Sequence, residues 1–131
     1  MIVYLDASAI VKIITPERES VPLVRALVSR PEQATSALSL AEVPRALRRI
    51  RATAATLRRA QRALEQLNLI HLDHDILQAA GEFRLPELRT LNAVHLASAL
   101  SLGADLEAVM TYDRRLAAAA QALGMAVLAP A

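Results

Sequence analysis

The sequence contains no cysteine, no tryptophan and only three other aromatic residues among its 131 positions. Without cysteine, a disulfide framework and thiolate metal sites are excluded, and a reducing compartment fits. No apolar run is long enough to span a membrane. Asp6 interrupts the first apolar run, and no basic region of the signal-peptide kind precedes it. We therefore expect a soluble, cytoplasmic protein with no membrane partner.

Lysine is nearly absent as well, since Lys12 is the only one among 15 basic residues. The formal net charge of +2 is too small to require a nucleic-acid partner. The distribution of arginine is more informative, because seven arginines fall in a segment that contains no acid. They are Arg45, Arg48, Arg49, Arg51, Arg58, Arg59 and Arg62. Arginine pairs bidentately with phosphates and carboxylates, although such a run is also compatible with a solvated helical face.

Apolar residues make up 54% of the chain, so a core built from Leu, Ala, Val and Ile is available. The length suits a single domain covering residues 1–131. Short apolar runs alternate with segments of helical periodicity, which favours βαβ units and a mostly parallel sheet. The pattern predicts strands at 2–5, 33–37, 69–72, 108–111 and 125–128. It predicts helices after the first strand and at 17–29, 39–50, 91–102 and 114–123. Two more end at 67 and 83, the first starting at Thr53 or Thr56 and the second at His74 or Asp75, and the pair at 39–67 is typical of an αα-hairpin.

Several local details follow from the same pattern. Ser8 is expected to cap the first helix. Ser39 and Glu42 form an S-x-x-E capping box at the start of the helix after the second strand. In the helix at 17–29, the residues at helical spacing on the expected buried face are Val21, Val24, Leu27 and Val28.

Three carboxylates follow or flank predicted strands. Asp6 comes directly after the first strand, Asp113 lies two residues beyond Thr111 at the end of the fourth, and Glu42 lies in the first turn after the second. The carboxyl ends of parallel strands share one edge, where α/β proteins bind ligands. Three carboxylates there repel each other unless a cation neutralises them, and hard divalent cations prefer oxygen ligands. Each acid can also be read more simply, as a helix cap.

Four segments together resemble PIN-domain ribonucleases of the VapC toxin type. They are VYLDASAIVKI at 3–13, SALSLAEVPRAL at 36–47, LRTLNAVHLASAL at 88–100 and MTYDRRL at 110–116. They occur in the family's order and at its usual spacing over the whole chain. The resemblance implies an α/β, PIN-like three-layer fold with a mostly parallel central sheet of about five short strands, flanked by helices that include the αα-hairpin.

The family's acidic positions fall on Asp6, Glu42, Asn92 and Asp113 in this sequence. Asn92 departs from the pattern, because family members usually carry Asp there. Asn keeps the size and one oxygen but loses the charge. Three explanations are open: an engineered change that disarms the protein, a natural member with weak activity, or a natural member in which the other three acids maintain metal binding.

The resemblance also implies a mechanism and partners. Mg²⁺ or Mn²⁺ held by Asp6, Glu42 and Asp113, with Asn92 as an uncharged fourth group, would activate a water to hydrolyse phosphodiesters of structured RNA, such as tRNA or rRNA loops. Ser8 and Thr111 would shape this site by hydrogen bonds. A VapB-type antitoxin and a homodimer are implied, with DNA reached only through the antitoxin. RNA or the antitoxin would bind the arginine-rich surface, with these residues as candidates: Arg45, Arg48, Arg49 and Arg114.

Two other functions compete with a metal-dependent endoribonuclease toxin. Asn92 supports a catalytically weakened PIN domain that acts mainly as an antitoxin-binding module in a regulatory complex. A phosphotransfer enzyme with Asp6 as nucleophile ranks last, because Ser8 stands where haloacid-dehalogenase-like enzymes carry a second Asp. Two further histidine-containing features are better explained by structure. The run at 71–75 lies where a helix cap belongs, and His95 is expected to be a buried histidine with satisfied hydrogen bonds.

Overall fold

The computed structural model describes residues 1–131, which fold around one five-stranded sheet in which every pair of neighbours is parallel. The strands are β1 (Ile2–Leu5), β2 (Gln33–Ser36), β3 (Asn68–Ile70), β4 (Leu106–Met110) and β5 (Val127–Leu128). Their order across the sheet is β3-β2-β1-β4-β5. The first strand of the chain therefore occupies the centre, and the carboxyl ends of β1, β2 and β4 lie side by side.

Seven α-helices connect and flank the strands. They are α1 (Ala7–Ile14), α2 (Ser20–Val28), α3 (Ser39–Arg49), α4 (Ala54–Glu65), α5 (His74–Glu82), α6 (Thr90–Leu100) and α7 (Arg114–Ala122), and a 3₁₀ turn spans Gly103–Asp105. Helices α3 and α4 pack against each other as the predicted αα-hairpin. The predicted three-layer α/β fold with a parallel central sheet is confirmed. None of these helices is long and apolar enough to cross a membrane.

Side chains alternate across the central strand and build a core on each face of the sheet. Val3 and Leu5 point to one face, where they join buried residues of α1, α2, α3 and α4. Tyr4 points to the other face, where it packs with α6 and α7 through Leu96 and Leu116. Both faces of β1 are thus covered, which explains why its sequence is a continuous apolar run.

The structure corrects two predicted caps. Asp6, not Ser8, is the N-cap of α1, and its side chain accepts the Ala9 N–H. The capping box is wrong too: α3 already begins at Ser39, and the buried Ser39 hydroxyl bonds Thr35 Oγ1 at 2.7 Å. The cap of α1 is thus two residues earlier than predicted, and Ser39 bonds a residue of β2 instead of capping its own helix.

The buried face of α2 also differs from the prediction. Leu23 and Leu27 are buried, whereas Val21, Val24 and Val28 are exposed. Two stripes of apolar residues run along this helix, one with Leu23 and Leu27 and the other with the three valines. Residue spacing alone does not determine which of them faces the sheet. The stripe with the larger leucine side chains is the one buried, since burial of more apolar area is more favourable.

Candidate functional site

Asp6 lies at the carboxyl end of β1 and is only 4% exposed. Its Oδ1 accepts hydrogen bonds from the Ser8 hydroxyl at 2.7 Å and the Ala9 N–H at 3.0 Å. Its Oδ2 accepts one from the Thr111 hydroxyl, at 2.6 Å, from the neighbouring strand end. The carboxylate is therefore fixed in position by two helix residues and one residue beyond β4.

Burial shifts the titration of this group. Desolvation raises the pKa of Asp6 above its ordinary value, although the hydrogen bonds from Thr111, Ser8 and Ala9 oppose the shift. Asp6 takes part in none of the ion pairs of the chain. A buried carboxylate without a cationic partner makes binding of a cation at this point electrostatically favourable.

Asp113 lies at the adjacent strand end and is the N-cap of α7. Its Oδ1 accepts the backbone N–H groups of Arg115 and Leu116, at 2.9 and 3.1 Å. Its own N–H donates to Thr111 Oγ1 at 3.0 Å, the hydroxyl that also donates to Asp6. Thr111 thus links the two acids, as expected for carboxylates that follow neighbouring parallel strands.

Asn92 joins this group from the first turn of α6. Its Nδ2 donates to Asp113 Oδ2 at 3.3 Å. An aspartate at the same place would set two negative charges against each other, whereas the amide supplies a hydrogen bond. The amide therefore orients Asp113 without the help of a cation.

Glu42 extends from α3 and is bound elsewhere. Its Oε1 lies 2.5 Å from His95 Nε2. No three His, Asp or Glu side chains come close enough together to hold a metal ion among them. The structure brings Asp6, Asp113, Asn92, Ser8 and Thr111 into one network and places Glu42 in a pair with His95.

A cleft of about 580 Å³ opens between α1 and α3 beside these residues. Ser8 and Glu42 contribute to its lining, together with Arg45 and Arg49. Arg48 instead lines a separate groove of about 470 Å³ between α3 and α4. Arg114 is exposed at the start of α7, next to Asp113. Two of the four candidate arginines thus face the cleft that holds Ser8 and Glu42.

The pairing of His95 with Glu42 is not predicted by the sequence. The expectation that His95 is buried and satisfied is confirmed, because it is 2% exposed and bonds both Glu42 and Tyr4. The sequence contains one indication that His95 lies near the site. It is three residues after Asn92, so both side chains project from the same face of α6. The other histidine-containing run, at 71–75, contains the N-cap of α5, because the side chain of Asp73 accepts the Ile76 N–H at 2.9 Å.

A parallel α/β domain with paired carboxylates at one sheet edge is the class of protein that these observations define. The PIN domain family matches residues 3–122, and the chain belongs to that family. Within it, the chain is of the VapC type. It is 47% identical over 128 residues to Ribonuclease VapC46 of Mycobacterium tuberculosis, covering 98% of this chain and 97% of that relative. It is 41% identical over 132 residues to Ribonuclease VapC35 of the same species, covering 98% and 96%.

Solved structures share the fold at lower identity. A toxin–antitoxin complex from Klebsiella pneumoniae superposes with a TM-score of 0.74 at 21% identity, over 98% of both chains. M. tuberculosis VapC20, described as a sarcin–ricin loop cleaving toxin, superposes with a TM-score of 0.73 at 19% identity, over 89% of this chain and 94% of that one. VapBC2 from Rickettsia felis, bound to a promoter DNA fragment, gives 0.70 at 16% identity, over 98% of both chains.

Proposed function

We propose that this chain is the ribonuclease toxin of a type II toxin–antitoxin system and that it hydrolyses RNA phosphodiesters with the help of Mg²⁺ or Mn²⁺. The observation that carries the proposal is the buried Asp6 carboxylate, fixed by Ser8 and Thr111 and lacking any cationic partner. The names of relatives at 47% and 41% identity support the reaction.

The donor set at the sheet edge suits a hard cation, because it consists of oxygen atoms only. Asp6 and Asp113 would hold the ion directly, with the amide oxygen of Asn92 as a further ligand. Because no three acidic side chains meet at one point, Glu42 would reach the ion through coordinated water, which Mg²⁺ usually retains. When bound, such an ion lowers the pKa of a coordinated water and stabilises negative charge on a phosphodiester.

The remaining contributions come from the chain itself. Ser8 and Thr111 hold the Asp6 carboxylate in one orientation, so it needs no rearrangement when substrate arrives. Arg45 and Arg49 face the cleft and would bind phosphates on either side of the cleaved bond. With two tyrosines and one phenylalanine in the whole chain, we expect backbone charge rather than base stacking to dominate RNA affinity, which makes binding salt-dependent.

The proposal includes a VapB-type antitoxin as partner, supported by the likeness to toxin–antitoxin complexes. The groove between α3 and α4 offers apolar walls with arginines at the rim, including Leu40, Pro44, Leu57, Arg48 and Arg58. An acidic, amphipathic antitoxin segment suits such a surface. RNA and antitoxin would then share the arginine-rich face. A homodimer and a cytoplasmic location complete the proposal.

A second candidate is a weakened PIN domain that mainly binds the antitoxin. The observation that favours it is the Asn92–Asp113 hydrogen bond, since an amide donor stands where another carboxylate would strengthen cation binding. The two candidates predict different behaviour of the Asn92→Asp variant.

The deciding experiment is cleavage of total tRNA and ribosomal RNA with Mg²⁺ or Mn²⁺. It compares the chain with its Asn92→Asp variant and with Asp6→Asn as the inactive control. Cleavage by the chain at a rate similar to that of Asn92→Asp supports the ribonuclease. Cleavage by Asn92→Asp alone supports the antitoxin-binding module. If neither protein cleaves any RNA, the ribonuclease proposal is refuted.

A further inference from the structure

Three side chains from three different elements form a continuous hydrogen-bonded chain behind the cleft. The Tyr4 hydroxyl, from the centre of β1, lies 2.6 Å from His95 Nδ1. The opposite ring nitrogen, Nε2, lies 2.5 Å from Oε1 of Glu42 on α3. Tyr4 and His95 are 0% and 2% exposed, whereas Glu42 is partly exposed in the cleft. The chain thus runs from the core to the cleft.

The hydrogen bonds determine where the protons lie. The Ser36 N–H donates to Tyr4 Oη at 3.2 Å, so the tyrosine proton is free to point to His95. Burial raises the pKa of Tyr4, which keeps that proton in place. A carboxylate only accepts hydrogen bonds, so His95 Nε2 carries the proton that is donated to Glu42. With Nδ1 accepting from the Tyr4 hydroxyl, every member of the chain has a partner, and no buried side-chain polar atom of the protein lacks one.

The other carboxylate oxygen of Glu42, Oε2, accepts no hydrogen bond from the chain, and Glu42 contributes to the lining of the cleft. A glutamate side chain has three freely rotating bonds and loses much of its entropy when a ligand fixes it. The hydrogen bond from His95 restricts this motion before any ligand binds. One oxygen is therefore held, and the other remains available.

We propose that His95, supported by Tyr4, is a positioning residue that holds Glu42 so that its free oxygen can bind, through coordinated water, a divalent cation held by the neighbouring aspartates. This inference rests on the proposed function and adds two residues that lie outside the acidic set. His95 does not touch the cation or the RNA. It acts through Glu42, as partners of metal-binding carboxylates generally do.

The test is Mn²⁺ binding to the full chain, measured from the electron paramagnetic resonance signal of free Mn²⁺, without any RNA. We expect His95→Ala to weaken binding about tenfold, within the range found for partners of metal ligands. His95→Gln, which keeps a donor and an acceptor, should recover part of the loss. Val94→Ala, a truncation at the buried neighbour on the same helix, is the matched control and should leave the affinity unchanged.

A double-mutant cycle separates positioning from general damage. In the Glu42→Gln background, His95→Ala should cause no further loss, because the group it positions has already been changed. A purely structural role would lower the affinity in both backgrounds and would overturn the inference. If His95→Ala does not fold, Tyr4→Phe replaces it, because only a hydroxyl is lost, and a smaller loss of affinity with the same dependence on Glu42 is expected.

The remaining outcomes are distinct. If the unchanged chain binds Mn²⁺ and His95→Ala binds it equally well or more tightly, the positioning role is refuted while the proposed ribonuclease stands. If the unchanged chain binds no Mn²⁺ even at millimolar concentration, the metal dependence in the proposed function and this inference both fail.

Discussion

The replacement of Asp6 by asparagine should make the protein more stable while removing its proposed activity. The amide has almost the same shape, so its oxygen can accept the bonds from Ser8 and Ala9 while its NH₂ faces Thr111. Three hydrogen bonds to a charged acceptor become bonds between neutral groups and weaken by about 1 kcal/mol each. The burial of a charge in a group that is 4% exposed costs several kcal/mol, and this cost disappears.

We expect a net gain in the free energy of unfolding of about 1–2 kcal/mol at neutral pH, which corresponds to a rise in Tm of about 4–7 °C for a chain of this length. The measurement is thermal unfolding by circular dichroism at pH 7.5 in EDTA. Asp105→Asn, at an exposed acid, is the matched control and should stay within about 0.5 kcal/mol of the unchanged chain.

The pH dependence provides an independent check. Because burial raises the folded-state pKa of Asp6 above its ordinary value of 3.8, the unchanged chain loses stability as the pH rises from 3.8 through the folded-state pKa. Asp6→Asn lacks this loss. The difference in Tm between the two proteins should therefore shrink as the pH is lowered from 7.5 toward 3.8. A variant that melts below the unchanged chain at pH 7.5, or a difference that does not vary with pH, would refute the reasoning.

Three further predictions concern other parts of the molecule. In EDTA, Asn92→Asp should lower the Tm because it sets a carboxylate against Asp113, and Mn²⁺ should raise the Tm of this variant more than that of the unchanged chain; equal shifts would contradict this. Leu47→Ala, at a side chain with 0% exposure, should lower the free energy of unfolding, measured by urea denaturation, by about 2–5 kcal/mol. A loss below about 1 kcal/mol would contradict this and would mean that neighbouring side chains fill the cavity. Thr53→Ala removes the N-cap of α4, whose hydroxyl accepts the Thr56 N–H at 3.1 Å, and should cost about 1 kcal/mol in the same assay, whereas Thr53→Ser should cost little.

The order and type of the elements could be predicted from the sequence because each is encoded locally. The apolar run at Ile2–Leu5 has to be covered on both sides, and strands that alternate with helices pair in parallel. The position of Asp6 and Asp113 at one edge follows from that topology alone, before any distance is known. Element ends were predicted less well, since fraying and capping decide them at the level of one or two residues.

The hydrogen bonds of Ser8 and Thr111 at the site could be predicted from the resemblance, and both reach Asp6. The partners of Ser39 and Glu42 could not, because the folded structure and not the local pattern decides them. Ser39 and Glu42 satisfy the local capping pattern, yet the structure pairs them with Thr35 and His95. A buried hydroxyl takes the nearest available partner in space, and sequence spacing contains no information about that partner. The buried face of α2 could not be predicted for a similar reason. Residue spacing identifies both apolar stripes of this helix, but only the folded structure decides which of them faces the sheet.

The central position of β1 has a consequence for synthesis of the protein. Asp6 is synthesised early relative to its partner, because the hydroxyl that fixes its second oxygen belongs to Thr111, 105 positions later. The strand beside β1 on that side, β4, also ends only at Met110. Because chains emerge from the N-terminus onward, a nascent chain that has not reached this point cannot assemble the paired acids. The time needed to translate about a hundred residues therefore separates the first acid from a complete site, and prematurely ended chains would lack it.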